Sequence, residues 1–104
     1  MNIIITESTF YILLAVLKPN HGYGIIQKVD EITKGRVILG PGTLYGALNN
    51  LLSKKWIKLY SEETNSRKKK EYIITSLGRE ILDDEIIRLK ELVENGEKGM
   101  REND

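Results

Sequence analysis

Residues 40–55 carry apolar side chains at one helical spacing and contain no acid. Leu44, Ala47, Leu48 and Leu51 recur every three or four positions, with Lys55 continuing the row, which predicts one short helix with one apolar face. Pro41 suits its first position, where the missing N–H leaves no hydrogen bond unmade. At about 100° per residue, Gly42, Gly46, Asn49, Asn50 and Ser53 fall on the opposite face. A solvated helix face usually carries Glu and Lys pairs. This one is small, polar and acid-free, fit to lie against another surface. Asparagine can make a two-bond contact to adenine in the major groove. An ordinary amphipathic helix with asparagine on its wet side accounts for the stretch equally well when it is taken alone.

The rest of the composition narrows the choice. At 104 residues the chain makes one small domain, able to bury a core but not a deep pocket as well. The absence of cysteine removes a disulfide framework and thiolate metal sites, and points to a reducing compartment. A single histidine excludes a multi-histidine metal site and leaves no nucleophile–base–orienter set, so an enzyme is not expected and neither is a cofactor. No apolar run approaches the ~20 residues of a membrane span. The apolar start is not preceded by a positive region, which argues against a signal peptide. The expected setting is therefore the cytoplasm. The net charge of +1 hides an asymmetry: residues 1–79 carry 12 Lys and Arg against 6 acids, and residues 80–104 carry 4 against 9. A basic body with an acidic C-terminal helix suits a polyanion partner for the first part only. A solvated charged helix explains the acidic end as well.

Along the chain, Thr6 is the expected cap of a first helix over 6–18, with Phe10, Leu13, Leu14 and Leu17 inward and Pro19-Asn20 ending it. His21-Gly22-Tyr23-Gly24 is a tight link into a second helix over about 22–33. Its inward residues are Ile25, Ile26, Val29 and Ile32, and Gly35 closes it in a left-handed conformation. Residues 36–39 are expected to form a short strand before the third helix. After that helix, residues 57–62 alternate apolar and polar as a half-buried strand does. A polar turn follows at 63–67, and residues 68–74 return as the partner strand, giving a hairpin with a basic tip. Thr75-Ser76 caps a long helix into the nineties, ended by Gly96 and Gly99, with residues 101–104 frayed. In it Leu82, Ile86, Leu89 and Val93 recur at the 4-3-4 spacing of a helix that pairs with another, and Leu92 widens the row.

Three helices followed by a β-hairpin is the winged helix arrangement, a helix-turn-helix with a hairpin beside its reading helix. The expected class is mainly α with a small β-hairpin (α+β). Residues 1–75 form the DNA-binding part and 76–104 a dimerisation helix with a frayed tail. Asn49 and Asn50 are the candidates for base edges. Thr43, Tyr45 and Gly46 suit close approach to the phosphate backbone, although Tyr45 fits lying on the core with its hydroxyl wet equally well. Ser66, Arg67, Lys68 and Lys69 form the wing, for phosphate or minor-groove contact, and Lys28 on the second helix is within reach of a phosphate. Leu82, Ile86, Leu89, Leu92 and Val93 are the dimerisation candidates.

Three short motifs stand in register. They are His21-Gly22-Tyr23-Gly24-Ile25, then Gly42-Thr43-Leu44-Tyr45 with Leu48 and Leu52, then Lys70-Glu71-Tyr72 followed by Thr75-x-x-Gly78-Arg79. Together they resemble PadR-family transcriptional regulators over almost the whole chain. The resemblance implies a winged helix-turn-helix repressor of double-stranded DNA. It would act as a homodimer through a single C-terminal helix, and a small aromatic effector would release it in the manner of some members. Trp56 departs from the family pattern, which more often has a small or aliphatic residue there.

The remaining singular residues read plainly. His21 is expected to be a turn residue with a surface hydrogen bond, and Trp56 a core or interface residue. Asp83, Asp84 and Glu85 point in different directions on a helix and are expected to be solvated. The competing reading of the whole chain is a winged helix that binds a partner protein and not DNA. An acid-free third helix and a basic wing favour DNA.

Overall fold

The computed structural model describes residues 3–60 and 70–103. Its elements run α1 (Glu7–Ala15), β1 (Asn20–His21), α2 (Gly22–Thr33), α3 (Pro41–Ser53), β2 (Ile57–Tyr60), β3 (Glu71–Ile74) and α4 (Ser76–Glu102). The three strands form one antiparallel sheet in the order β1-β3-β2, with Asn20 opposite Tyr72 and Ile57 opposite Ile74. The chain is thus mainly α with a small β element, three helices leading into a hairpin and a long C-terminal helix, as expected for a winged helix.

Each helix start has a local cause. Thr6 accepts a hydrogen bond from the Thr9 N–H at 3.1 Å, and Thr75 accepts one from Gly78 N–H at 3.0 Å. His21 caps α2 through Nδ1, which accepts from Gly24 N–H at 3.1 Å. One side-chain acceptor thereby satisfies a backbone donor that a helix start leaves free. Lys34 closes α2 in the left-handed region with Gly35 after it at φ +82°, and Gly35 N–H reaches back to Asp30 C=O at 2.9 Å. The core gathers one row from each element: Ile12, Leu13 and Val16, Ile25 and Val29, Leu44 and Leu48, and Ile57, all sealed from solvent. Trp56, Tyr72, Ile74, Ile81 and Leu82 close it from the sheet and the root of α4.

Four expectations are corrected. The first helix stops at Ala15, short of Lys18. Ala15 C=O accepts from the Asn20 side-chain amide at 3.1 Å and Val16 C=O accepts from Ile74 N–H at 2.9 Å, so tertiary donors take the carbonyls that a longer helix would use. Its inward face includes Ile12 and Val16, while Phe10, Leu14 and Leu17 are only partly covered. Residues 36–39 form no strand; Val37 N–H is taken by the Thr33 hydroxyl at 3.0 Å, and the sheet edge is occupied by Asn20-His21 instead. On β2 the expected alternation fails after Ile57: Lys58, Leu59 and Tyr60 are all exposed on an edge strand. Finally, α4 runs through both Gly96 and Gly99 to Glu102, and the Asn103 amide donates to Gly99 C=O at 2.9 Å to finish it.

Candidate nucleic-acid interface

The roll of α3 is set by Leu44, Leu48 and Leu51, which are buried and leave the helix no freedom about its axis. Their burial turns Thr43, Tyr45, Gly46, Asn49 and Asn50 outward, and all five are exposed. The helix carries no acid, and Lys54 and Lys55 follow directly. Its start has no side-chain cap, and Pro41 contributes no N–H. The first-turn N–H groups of Gly42 and Thr43 therefore stand at the positive end of the helix dipole, where a phosphate oxygen is favoured. Nothing in the chain comes within 4 Å of a Cβ placed at Gly42 or Gly46. Both glycines weaken the helix by about 1 kcal/mol relative to alanine, and neither is explained by packing within the chain.

Tyr45 has a double character. Its side chain is half exposed, yet its hydroxyl lies against Gly22, where any Cβ would collide with the phenol. The same phenol neighbours Tyr72, whose hydroxyl is pushed above its ordinary pKa by burial first and by Tyr45 second. Tyr45 thus joins α3 to the start of α2 and to the sheet. Gly22 is required there by close approach.

Lys28 is exposed on α2, in a shallow surface hollow shared with Asn20, Gly24, Gln27 and Glu31. Ser66, Arg67, Lys68 and Lys69 lie outside the described residues. Three cations that the sequence reading did not assign to DNA stand beside α3: Lys54 and Lys55 at its end, and Lys58 on β2, all exposed. Their signal in sequence is the run from residue 32 to 61 without an acid. Lys54 Nζ sits 4.7 Å from the centre of the Trp56 ring, a cation–π contact. Trp56 itself is buried in the core, in accord with the expectation of a core residue.

The C-terminal row divides. Leu82 is 4% exposed and packs in the chain's own core, which corrects its place among the dimerisation candidates. Ile86 is half buried against that core, whereas Leu89, Leu92 and Val93 are 36%, 51% and 58% exposed. Phe10, Ile86, Leu89 and Val93 line an apolar groove of about 350 Å³ between α1 and α4. Glu85 corrects a further expectation: it is buried, not solvated. Arg88 donates to both of its oxygens, at 2.8 and 2.6 Å. Those bonds and the Arg88 charge, with help from the Ile5 N–H, hold the Glu85 carboxyl below the usual carboxylate range against the opposing effect of burial. Its sequence neighbours Asp83 and Asp84 are exposed, as expected. Among the described residues, no helix is long and apolar enough to cross a membrane.

Known proteins match this geometry. A family model described as the transcriptional regulator PadR-like family matches residues 12–84. A PadR family transcription regulator from Clostridium difficile superimposes with a TM-score of 0.71 at 27% identity, over 88% of this chain and 97% of that one. A transcriptional regulator from Clostridium thermocellum shares the fold with a TM-score of 0.71 at 22% identity, over 88% of this chain and 90% of the other. An uncharacterized 37.1 kDa protein in transposon TN4556 of Streptomyces fradiae is 37% identical over 67 residues, 64% of this chain. The chain spans 18% of the length of that relative. With the matched segment running from the first helix into α4, the chain belongs to the PadR-like family of transcriptional regulators, proteins that bind DNA and are not enzymes.

Proposed function

We propose that the protein is a cytoplasmic, sequence-specific repressor that binds double-stranded operator DNA as a homodimer and is released by a small aromatic effector. The observation that carries the DNA-reading assignment is the outward face of α3: exposed, acid-free, and fixed in direction by Leu44, Leu48 and Leu51 beneath it. In this reading Asn49 and Asn50 contact base edges. Thr43, Tyr45 and Gly46 approach the phosphate backbone, Lys28 adds a phosphate contact, and Ser66, Arg67, Lys68 and Lys69 hold the flanking backbone. Residues 1–75 act as the DNA-binding unit and 76–104 as the dimerisation helix, through Ile86, Leu89, Leu92 and Val93. Two reading helices related by a two-fold axis call for inverted half-sites about one helical turn, or a multiple of it, apart.

The test is a salt titration of binding by fluorescence anisotropy on the DNA upstream of the protein's own gene and on scrambled duplex. Asn49→Ala is expected to lower the ratio of specific to nonspecific affinity by roughly 1–3 kcal/mol while leaving the salt slope unchanged. Replacing Arg67, Lys68 and Lys69 by Ala is expected to weaken both duplexes and to flatten the slope by about one log–log unit for each phosphate no longer neutralised. No affinity for any duplex would favour a partner protein on the α3 face.

A further inference from the structure

One cavity lies where neither the hairpin nor the dimerisation helix reaches. It has a volume of about 320 Å³, between the N-terminal segment ahead of α1 and the inner edge of α3. That is the lower end of the roughly 300–1,000 Å³ typical of small-molecule sites. Its apolar wall is Ile3, Ile5, Ala47 and Trp56. Its polar edge is the Asn50 amide and the Lys54 ammonium, with the Thr6 and Thr9 hydroxyls behind. Among the described residues no acid lines it, so Lys54 gives the site a net positive charge. An apolar wall facing a single ammonium and an amide suits a ligand with the same division, an apolar body carrying one negative charge.

We propose that this cavity binds a small apolar monoanion, and that its occupation competes with DNA on α3. The body would rest against Ile3, Ile5, Ala47 and the edge of Trp56. The anionic head would replace solvent between Lys54 and Asn50. Competition follows from position: Gly46 and Asn50 belong both to the cavity lining and to the outward face of α3. A bound anion there occupies the Asn50 amide and lays a negative charge where a phosphate would approach. The competition rests on the DNA-reading assignment of α3. The binding does not.

Trp56 is the only tryptophan, so its emission reports this cavity directly. The probe is 1-anilinonaphthalene-8-sulfonate, an apolar aromatic monoanion that accepts energy from tryptophan, with uncharged N-phenyl-1-naphthylamine as its charge-free counterpart. Saturable one-to-one binding with energy transfer from Trp56 is expected. The anion should bind roughly three- to tenfold more tightly than the neutral compound, the scale of one charge-assisted hydrogen bond at a partly solvated site. Lys54→Gln should erase that preference, and Ala47→Leu, which fills the cavity, should weaken both compounds. Equal affinity for the two compounds, or binding indifferent to both variants, overturns the site and points to the groove between α1 and α4. In a second arm, saturating anion should weaken operator binding by wild type and not by Ala47→Leu. Operator affinity that stays constant while the cavity is filled overturns the competition. Anion binding by a protein with no affinity for any duplex upholds the site and removes the regulator reading instead.

Discussion

α4 is one continuous helix with two unlike halves. From Ser76 to Arg88 it is a structural root: Gly78, Ile81, Leu82 and Glu85 are buried. Gly78 sits so close to the Trp56 carbonyl that a side chain there would strike backbone. From Leu89 onward the same helix keeps its apolar row but loses its cover, and Leu89, Leu92 and Val93 stand in solvent. Helical periodicity runs across the boundary without change. An apolar row therefore tells where a helix can bury surface and not whose surface covers it. The first half is satisfied by its own chain. The second half is long, amphipathic and uncovered, and it extends a molecule of 62 × 31 × 20 Å along its longest axis.

The largest effect should come from breaking the second half alone. Leu89→Asp, counted twice in a two-fold dimer, is expected to cost roughly 3–6 kcal/mol of association, at about 1.5–3 kcal/mol for each buried Leu. The monomer should remain folded, because Leu89 lies outside the buried core. Sedimentation velocity with circular dichroism separates the two outcomes. A folded dimer would place the interface elsewhere.

Next is the root. Gly78→Ala is expected to destabilise the monomer by roughly 1–3 kcal/mol, the usual cost of overpacking, since Trp56 C=O also accepts from Thr75 N–H at 2.9 Å and cannot yield freely. Thermal unfolding reads the loss.

The boundary between the halves is held by Glu85 and Arg88. Arg88→Met leaves a buried carboxylate without its ion partner, and a cost of about 1–3 kcal/mol is expected. Because the folded Glu85 carboxyl titrates below its ordinary value of 4.5, the unfolded chain takes up that proton first. The stabilisation is therefore complete above that ordinary value and is lost as pH falls through it toward the lowered folded one. Melting temperature followed from pH 6 to pH 3 should decline less steeply in Glu85→Gln than in wild type. Parallel curves would mean that the pair contributes nothing.

The smallest effect returns to glycine. Gly96 and Gly99 have open space where a Cβ would stand. Gly96→Ala and Gly99→Ala are each expected to stabilise the helix by up to about 1 kcal/mol, opposite in sign to Gly78→Ala. Helix content by circular dichroism checks the sign.

The same contrast explains what the sequence disclosed. The α3 face is legible because one element carries the whole pattern: Leu44, Leu48 and Leu51 share a spacing, and no acid interrupts it. Thr6, Thr75 and the left-handed Gly35 are legible because capping is local. What escapes depends on interactions between distant residues. The first helix gives up Val16 to a strand that follows it by more than fifty positions, and nothing near Val16 announces this. Asn20-His21 reads as a turn and becomes a strand only because β3 has a free edge beside it. Glu85 looks like its solvated neighbours Asp83 and Asp84 until the N-terminal segment covers it. Gly96 and Gly99 read as stops, yet Asn103 supplies the closing bond further on.

The Thr75 side chain has a mechanical role. Its hydroxyl donates to Lys55 C=O at 2.7 Å and to Trp56 C=O at 3.0 Å while accepting from Gly78 N–H. The turn that ends α3 and the first turn of α4 are thus riveted at a single point. A helix of 27 residues measures roughly 40 Å, so a tilt of about 5° at the rivet displaces its far end by roughly 3 Å. In the proposed dimer, two such arms joined near their tips behave as a pair of calipers. The gap between the jaws, one α3 on each, is set by the stiffness of two threonine joints, and a loosened joint would blur the spacing of half-sites before it weakened any single contact with DNA.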